Sequence, residues 1–91
     1  MNVLNRIKLK ISRGKYEFSR HSLFDKLPIY DFTTDDILNV VYTCKSIIKQ
    51  TGDARGARYV IVGNTLDNTE IEVICRFIEN KILFITIYKY E

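Results

Sequence analysis

The spacing of apolar residues along the chain changes at about residue 57. Before that point, apolar residues recur three and four positions apart, which is typical of amphipathic helices. After it, they alternate with polar residues, which is typical of strands with one buried face. We predict helices and short extended pieces in the first part of the chain, in the order helix 2–12, extended 16–19, helix 20–26, helix 34–44 and extended 46–50.

Two of these predictions depend on single residues. The stretch Ile7–Ile11 also alternates with lysines, so a strand remains an alternative to the first helix. Ser19 is expected to cap the second helix, and Pro28 to end it, because proline disfavours helical backbone angles in the residue before it.

The second part of the chain has three alternating stretches separated by turn residues at 65–69 and 79–81. Helices followed by an antiparallel meander predict an α+β domain. We expect two to three N-terminal helices packed on one face of a three- to four-stranded antiparallel sheet, with residues 1–91 as a single domain.

The strand register predicts which side chains share the other face of the sheet. Because a slip by one residue would expose a whole apolar set, Cys75 is expected opposite Ile85, and Ile74 opposite Thr86. The face away from the core then carries four groups that would suit a phosphate, namely Arg58, Arg76, Thr86 and Tyr88. The alternative is an ordinary solvated polar face, and a β-bulge would reverse the faces beyond it.

Charge is unevenly distributed along the chain. The net charge is +3, yet residues 1–20 hold six basic residues and one acidic residue. Such a segment is compatible with a polyanion such as RNA, with Arg13, Lys15 and Arg20 as expected contacts, or with a solvated helix face.

The remaining bulk features narrow the class of protein. There is no secretory-signal pattern and no run of about 18 apolar residues, so we expect a cytoplasmic protein with reduced thiols and no membrane partner. Cys44, Cys75 and one histidine have no metal-ligand spacing, so no metal and no cofactor are expected. Cys75 lies in an alternating stretch and is expected to be a small core residue.

The only histidine lies in the segment Phe18–Ser22. Histidine is the side chain whose ordinary pKa lies closest to neutral pH, so His21 is the first candidate for acid/base chemistry. The alternative is a structural histidine that caps a helix or hydrogen-bonds a carbonyl. Phe84 and Tyr90 are a candidate partner surface.

Three short motifs together suggest a family: Ser19-Arg20-His21, the strand Arg58–Gly63 that begins Arg-Tyr and ends in glycine, and Thr86-Ile87-Tyr88. Over about residues 5–90 the chain resembles an uncharacterised domain-of-unknown-function family of small bacterial proteins. That family is similar in layout to the RelE, BrnT and barnase-like metal-independent ribonuclease toxins. The resemblance implies a toxin of a toxin–antitoxin pair, with RNA and a cognate antitoxin as partners.

The resemblance also implies roles for individual residues. It implies His21 as an active-site residue, Arg58 as a phosphate or scaffold residue, and Thr86 with Tyr88 as lining of the site, whereas Arg76 comes from the register argument. Members often have an arginine-rich segment where this chain has Lys26–Ile29, which is a departure.

Metal-independent RNA cleavage needs a base for the ribose 2′-hydroxyl, cations for the phosphorane and an acid for the leaving oxygen. His21 fits either proton-transfer role, and with a single histidine the second partner would be Tyr88, Glu72, a lysine or water. The alternative function is a non-catalytic RNA- or protein-binding module with the same fold.

Overall fold

A five-stranded mixed sheet lies at the centre of the computed structural model, which describes residues 1–89. The elements are α1 (Val3–Ser12), β1 (Tyr16–Phe18), a π-helix (His21–Lys26), α2 (Leu27–Tyr30), α3 (Thr34–Tyr42), β2 (Ser46–Gln50), β3 (Arg58–Asn64), β4 (Glu70–Ile78) and β5 (Lys81–Lys89). The strand order is β1-β5-β4-β3-β2, with β1 parallel to β5 and the other neighbours antiparallel. The predicted α+β class is confirmed, but the sheet has five strands because both short extended pieces join its edges.

The helices begin where the sequence supplies caps. Asn2 accepts a hydrogen bond from the backbone of Asn5 at the start of α1, which is a helix and not the alternative strand. Thr33 and Asp36 form a reciprocal capping box at the start of α3.

Pro28 does not end the helical segment as predicted. The π-helix continues directly into α2, and Pro28 lies in the first turn of α2, where proline is tolerated. The segment ends instead at Asp31, which has a left-handed backbone angle φ of 57°.

The core lies between the sheet and the helices α1 and α3. Its fully buried residues include Ile7, Ile37, Val41, Ile61, Val73 and Ile87. A Cβ on Gly63 would come 2.2 Å from the carbonyl oxygen of Val40, so glycine is needed where α3 crosses β3. Cys75 is fully buried and desolvation raises the pKa of its thiol to about 12, which confirms it as a core residue.

The predicted register is correct at one end of the last hairpin and wrong at the other. Ile74 pairs with Thr86 as predicted, whereas Cys75 pairs with Phe84 and not with Ile85. A β-bulge explains the difference, because it inserts one extra residue into β5 at Ile85.

The bulge turns Phe84 into the core instead of Leu83 and Ile85. Phe84 is fully buried and stacks on Phe18 with ring centres 5.0 Å apart. It therefore does not belong to an exposed partner surface, and its predicted companion Tyr90 lies outside the described residues.

Candidate functional site

The sheet face turned away from α1 and α3, here called the open face, presents three rows of side chains across β2 to β5. The first row is Ser46, Val62, Glu72 and Tyr88. The second row is Ile48, Val60, Ile74 and Thr86. The third row is Gln50, Arg58, Arg76 and Leu83. The four predicted open-face residues thus share one face, as the register argument requires.

The bulge in β5 also fixes the start of the π-helix. The backbone N–H of Ser19 donates to the carbonyl of Phe84 at 2.9 Å, and its hydroxyl donates to the carbonyl of Ile85 at 2.6 Å. The same hydroxyl accepts a hydrogen bond from the backbone of Ser22, which is the capping role predicted for it. His21 lies two residues after Ser19, so these hydrogen bonds hold it against β5.

The imidazole of His21 lies at the end of the second row. Its Nε2 is 3.1 Å from the hydroxyl oxygen of Thr86, and its Nδ1 is 3.1 Å from a carboxylate oxygen of Asp25, one helical turn later. The Thr86 residue is only 6% exposed, whereas the side chains of His21 and Asp25 are 49% and 65% exposed. A carboxylate, an imidazole and a hydroxyl thus follow one another from solvent to the sheet.

Tyr88 lies two residues beyond Thr86 on the open face. The ammonium of Lys26, from the last turn of the π-helix, lies 4.3 Å from the centre of its ring. Lys26 therefore supplies a cation near the site at the position where the sequence departs from the arginine-rich pattern.

The two predicted arginines are already engaged by other side chains. Arg76 is only 6% exposed, and its guanidinium donates to a carboxylate oxygen of Asp53 at 3.1 Å. Arg58 donates to the side-chain oxygen of Gln50 at 3.1 Å. Arg76 lies on β4 two residues after Ile74, which is the partner of Thr86 on β5.

Sequence reasoning missed Asp53 and Arg55, which lie in the loop between β2 and β3. Asp53 accepts hydrogen bonds from the backbone N–H and the guanidinium of Arg55. These bonds, and then the one from Arg76, hold the pKa of the Asp53 carboxyl well below its usual range. The only sequence signal was the Gly52–Gly56 turn pattern, which predicts a loop but not where its side chains reach.

The three residues predicted to contact RNA lie in two places. Arg13 and Lys15 are in the turn between α1 and β1, where the Lys15 carbonyl accepts from the backbone of Ile82. Arg20 directly precedes the π-helix, with its guanidinium 5.6 Å from the ring centre of Phe24. Of the three, Arg20 alone is the chain neighbour of His21.

Within residues 1–89, no group of three or more histidine, cysteine, aspartate or glutamate side chains is arranged to hold a metal ion. In the same part of the chain, no helix has the length and apolar character needed to cross a membrane.

A family model described as "Domain of unknown function (DUF4258)" matches residues 28–89, about two thirds of the chain. The chain belongs to the DUF4258 family. The match includes Arg58, Arg76, Thr86 and Tyr88, and it begins after His21. Membership of a domain-of-unknown-function family is thereby confirmed, whereas kinship with RelE, BrnT and barnase-like ribonucleases stays a prediction.

A comparison with curated proteins and a comparison with solved structures each gave no match to this DUF4258 chain.

Proposed function

We propose that this DUF4258 domain is a metal-independent endoribonuclease of the toxin–antitoxin kind, which cleaves RNA by attack of the ribose 2′-hydroxyl with His21 as acid/base. The observation that carries the proposal is the position of the His21 imidazole at the rim of the open face, 3.1 Å from Thr86. The α+β layout, with α1 and α3 on one sheet face and Arg58, Arg76, Thr86 and Tyr88 on the other, supports the likeness to RelE and barnase-like ribonucleases.

The two ring nitrogens of His21 have different partners. The Thr86 hydroxyl is nearly buried and belongs to a sheet strand, so it is a fixed partner that orients the ring. The contact with Asp25 is an exposed pair between neighbouring helical turns, and such pairs contribute little. Nδ1 is therefore the nitrogen that exchanges Asp25 for a substrate hydroxyl.

Cations and an aromatic ring beside His21 supply the other parts of the reaction. Lys26 lies beside Tyr88, and Arg76 lies in the third row, where its charge is paired with Asp53. If an incoming phosphate released Arg76 from Asp53, both cations would stabilise the phosphorane. Tyr88 is partly exposed and can stack on a base or transfer the second proton.

The test is RNA cleavage by the purified protein, with and without EDTA, alongside growth of a bacterial host that expresses it. We expect cleavage that EDTA does not abolish and that His21→Ala lowers by about 10²–10⁴-fold. Asp35→Asn, an exposed change on α3 at the other side of the sheet, is the matched control and should leave cleavage unchanged. Absence of both cleavage and growth arrest, or full activity of His21→Ala, would overturn the proposal.

A non-catalytic binding module is the second candidate. It is favoured by the apolar second row, in which Ile48 is 60% exposed beside the nearly buried Val60 and Ile74. Its signature would be salt-sensitive RNA binding, or a stable protein complex, without any product.

A further inference from the structure

The loop between β2 and β3 places one carboxylate inside a set of arginine donors. Asp53 accepts from the Arg55 backbone N–H at 2.8 Å and from Arg55 Nε at 3.3 Å and Nη2 at 3.4 Å. It also accepts from Arg76 Nη2 at 3.1 Å. The Asp53 carboxylate thus occupies a position in which an oxyanion from outside the protein could accept hydrogen bonds from the same donors of Arg55 and Arg76.

The burial of Arg76 distinguishes its contact with Asp53 from an exposed surface ion pair. The side chain of Arg76 is 7% exposed and that of Asp53 is 21% exposed. A guanidinium withdrawn from water needs a negatively charged partner, because burying an unpaired charge is costly. Whatever displaced Asp53 would have to bring a negative charge of its own.

A third arginine lines the same hollow as the Asp53 carboxylate. Arg58 lines an open hollow of about 630 Å³ together with Gln50, Thr51, Gly52 and Asp53. Arg55 and Arg76 line a second hollow of about 360 Å³ that reaches Ser19. Asp53 thus lies in the wall of the first hollow, and its two arginine partners lie in the wall of the second.

The loop that carries Asp53 has glycine at two positions with left-handed backbone angles. Gly52 and Gly56 flank the segment that carries Asp53 and have φ angles of +99° and +114°, which other residues rarely adopt. A Cβ at either glycine would meet no atom within 4 Å, so neither glycine is required by packing.

We propose that Arg55, Arg58 and Arg76 form a binding site for a phosphate group, that Asp53 occupies this site in the free protein, and that an arriving phosphate displaces Asp53. The phosphate group is either that of an RNA backbone or free phosphate. The RNA source rests on the proposed function, whereas the anion site itself does not.

The test is the affinity of Asp53→Asn for two probes, inorganic phosphate and a 2′-O-methyl RNA oligonucleotide that lacks the attacking hydroxyl. The affinities are measured by calorimetry or NMR titration at fixed salt. In the native chain the Asp53 carboxylate blocks the site in a fraction of the molecules, and the apparent affinity for an added anion is lowered accordingly. We therefore expect Asp53→Asn to bind each probe at least about tenfold more tightly than the native chain.

Asp67→Asn is the matched control. Asp67 is also a loop carboxylate, held by the hydroxyls of Thr65 and Thr69, and its removal leaves the arginine site intact. In the double variant Asp53→Asn/Arg76→Gln the gain should disappear, and melting curves check that each variant is folded.

The outcomes separate the two proposals, because no probe is cleaved. Equal affinities of Asp53→Asn and Asp67→Asn, or a gain that survives Arg76→Gln, would overturn the anion site. A gain for inorganic phosphate without a gain for the oligonucleotide would support the anion site and overturn RNA as its ligand. A gain for both probes in a protein that does not cleave RNA would support the site and count against the proposed ribonuclease only.

Discussion

The two faces of the sheet use alternate residues of the same strands in different ways. On the helix-covered face, Ile61, Val73 and Ile87 are fully buried by apolar packing against α1 and α3. On the open face, Thr86 and Arg76 are also nearly buried, but each is paired with a polar side chain from outside β3 to β5, namely His21 and Asp53. Apolar packing alone fixes the first face, whereas the second combines nearly buried apolar side chains such as Val60 and Ile74 with polar contacts that a ligand can replace.

The largest difference between the faces is expected when one apolar side chain is removed from each. Phe84→Ala should lower the free energy of unfolding by about 3–5 kcal/mol, because it empties a fully buried aromatic site. Ile48→Ala on the open face should change it by only about 0.5 kcal/mol, because Ile48 is largely exposed. Denaturant unfolding measures both, and similar losses would contradict the division between the faces.

A smaller effect is expected from the hydroxyl that orients His21. Thr86→Val keeps the shape of the side chain and removes one hydrogen bond, so we expect RNA cleavage to fall by up to about tenfold and its pH profile to shift. Thr86→Ser should restore both. If Thr86→Val altered the melting temperature and left the pH profile in place, Thr86 would be structural rather than positioning.

The smallest effect concerns acid stability at the other end of the open face. The Asp53 carboxyl has a pKa below its ordinary value of about 4. Its contribution is therefore fully present above about pH 4 and is lost as the pH falls below that value. Melting temperatures measured from pH 5 to pH 2 should decline less steeply for Asp53→Asn than for the native chain, and parallel curves would refute the pairing of Asp53 with the arginines.

Features that repeat along the chain could be predicted from the sequence. Alternation in β3 and β4 identifies the core face, and the pairing of Ile74 with Thr86 follows from burying both apolar sets. Capping residues such as Thr33 mark helix starts because they satisfy free backbone N–H groups locally.

Features that depend on distant contacts could not be predicted. The bulge at Ile85 is one extra residue in an apolar run, and both Leu83 and Phe84 are large enough to fill the core. Its position is settled by the stacking of Phe84 on Phe18, which is far away in the sequence. The contact between Asp53 and Arg76 likewise depends on how the β2–β3 loop crosses the open face.

Because the chain has a single histidine, its ring signals report directly on whether the open face contacts RNA through His21. The measurement is an NMR titration of the His21 ring resonances with the 2′-O-methyl RNA oligonucleotide, in the native chain and in Thr86→Val. We predict saturable shifts of the ring signals in the native chain that weaken as salt increases. Oligonucleotide binding that moves other resonances and leaves the His21 ring unchanged would contradict the account.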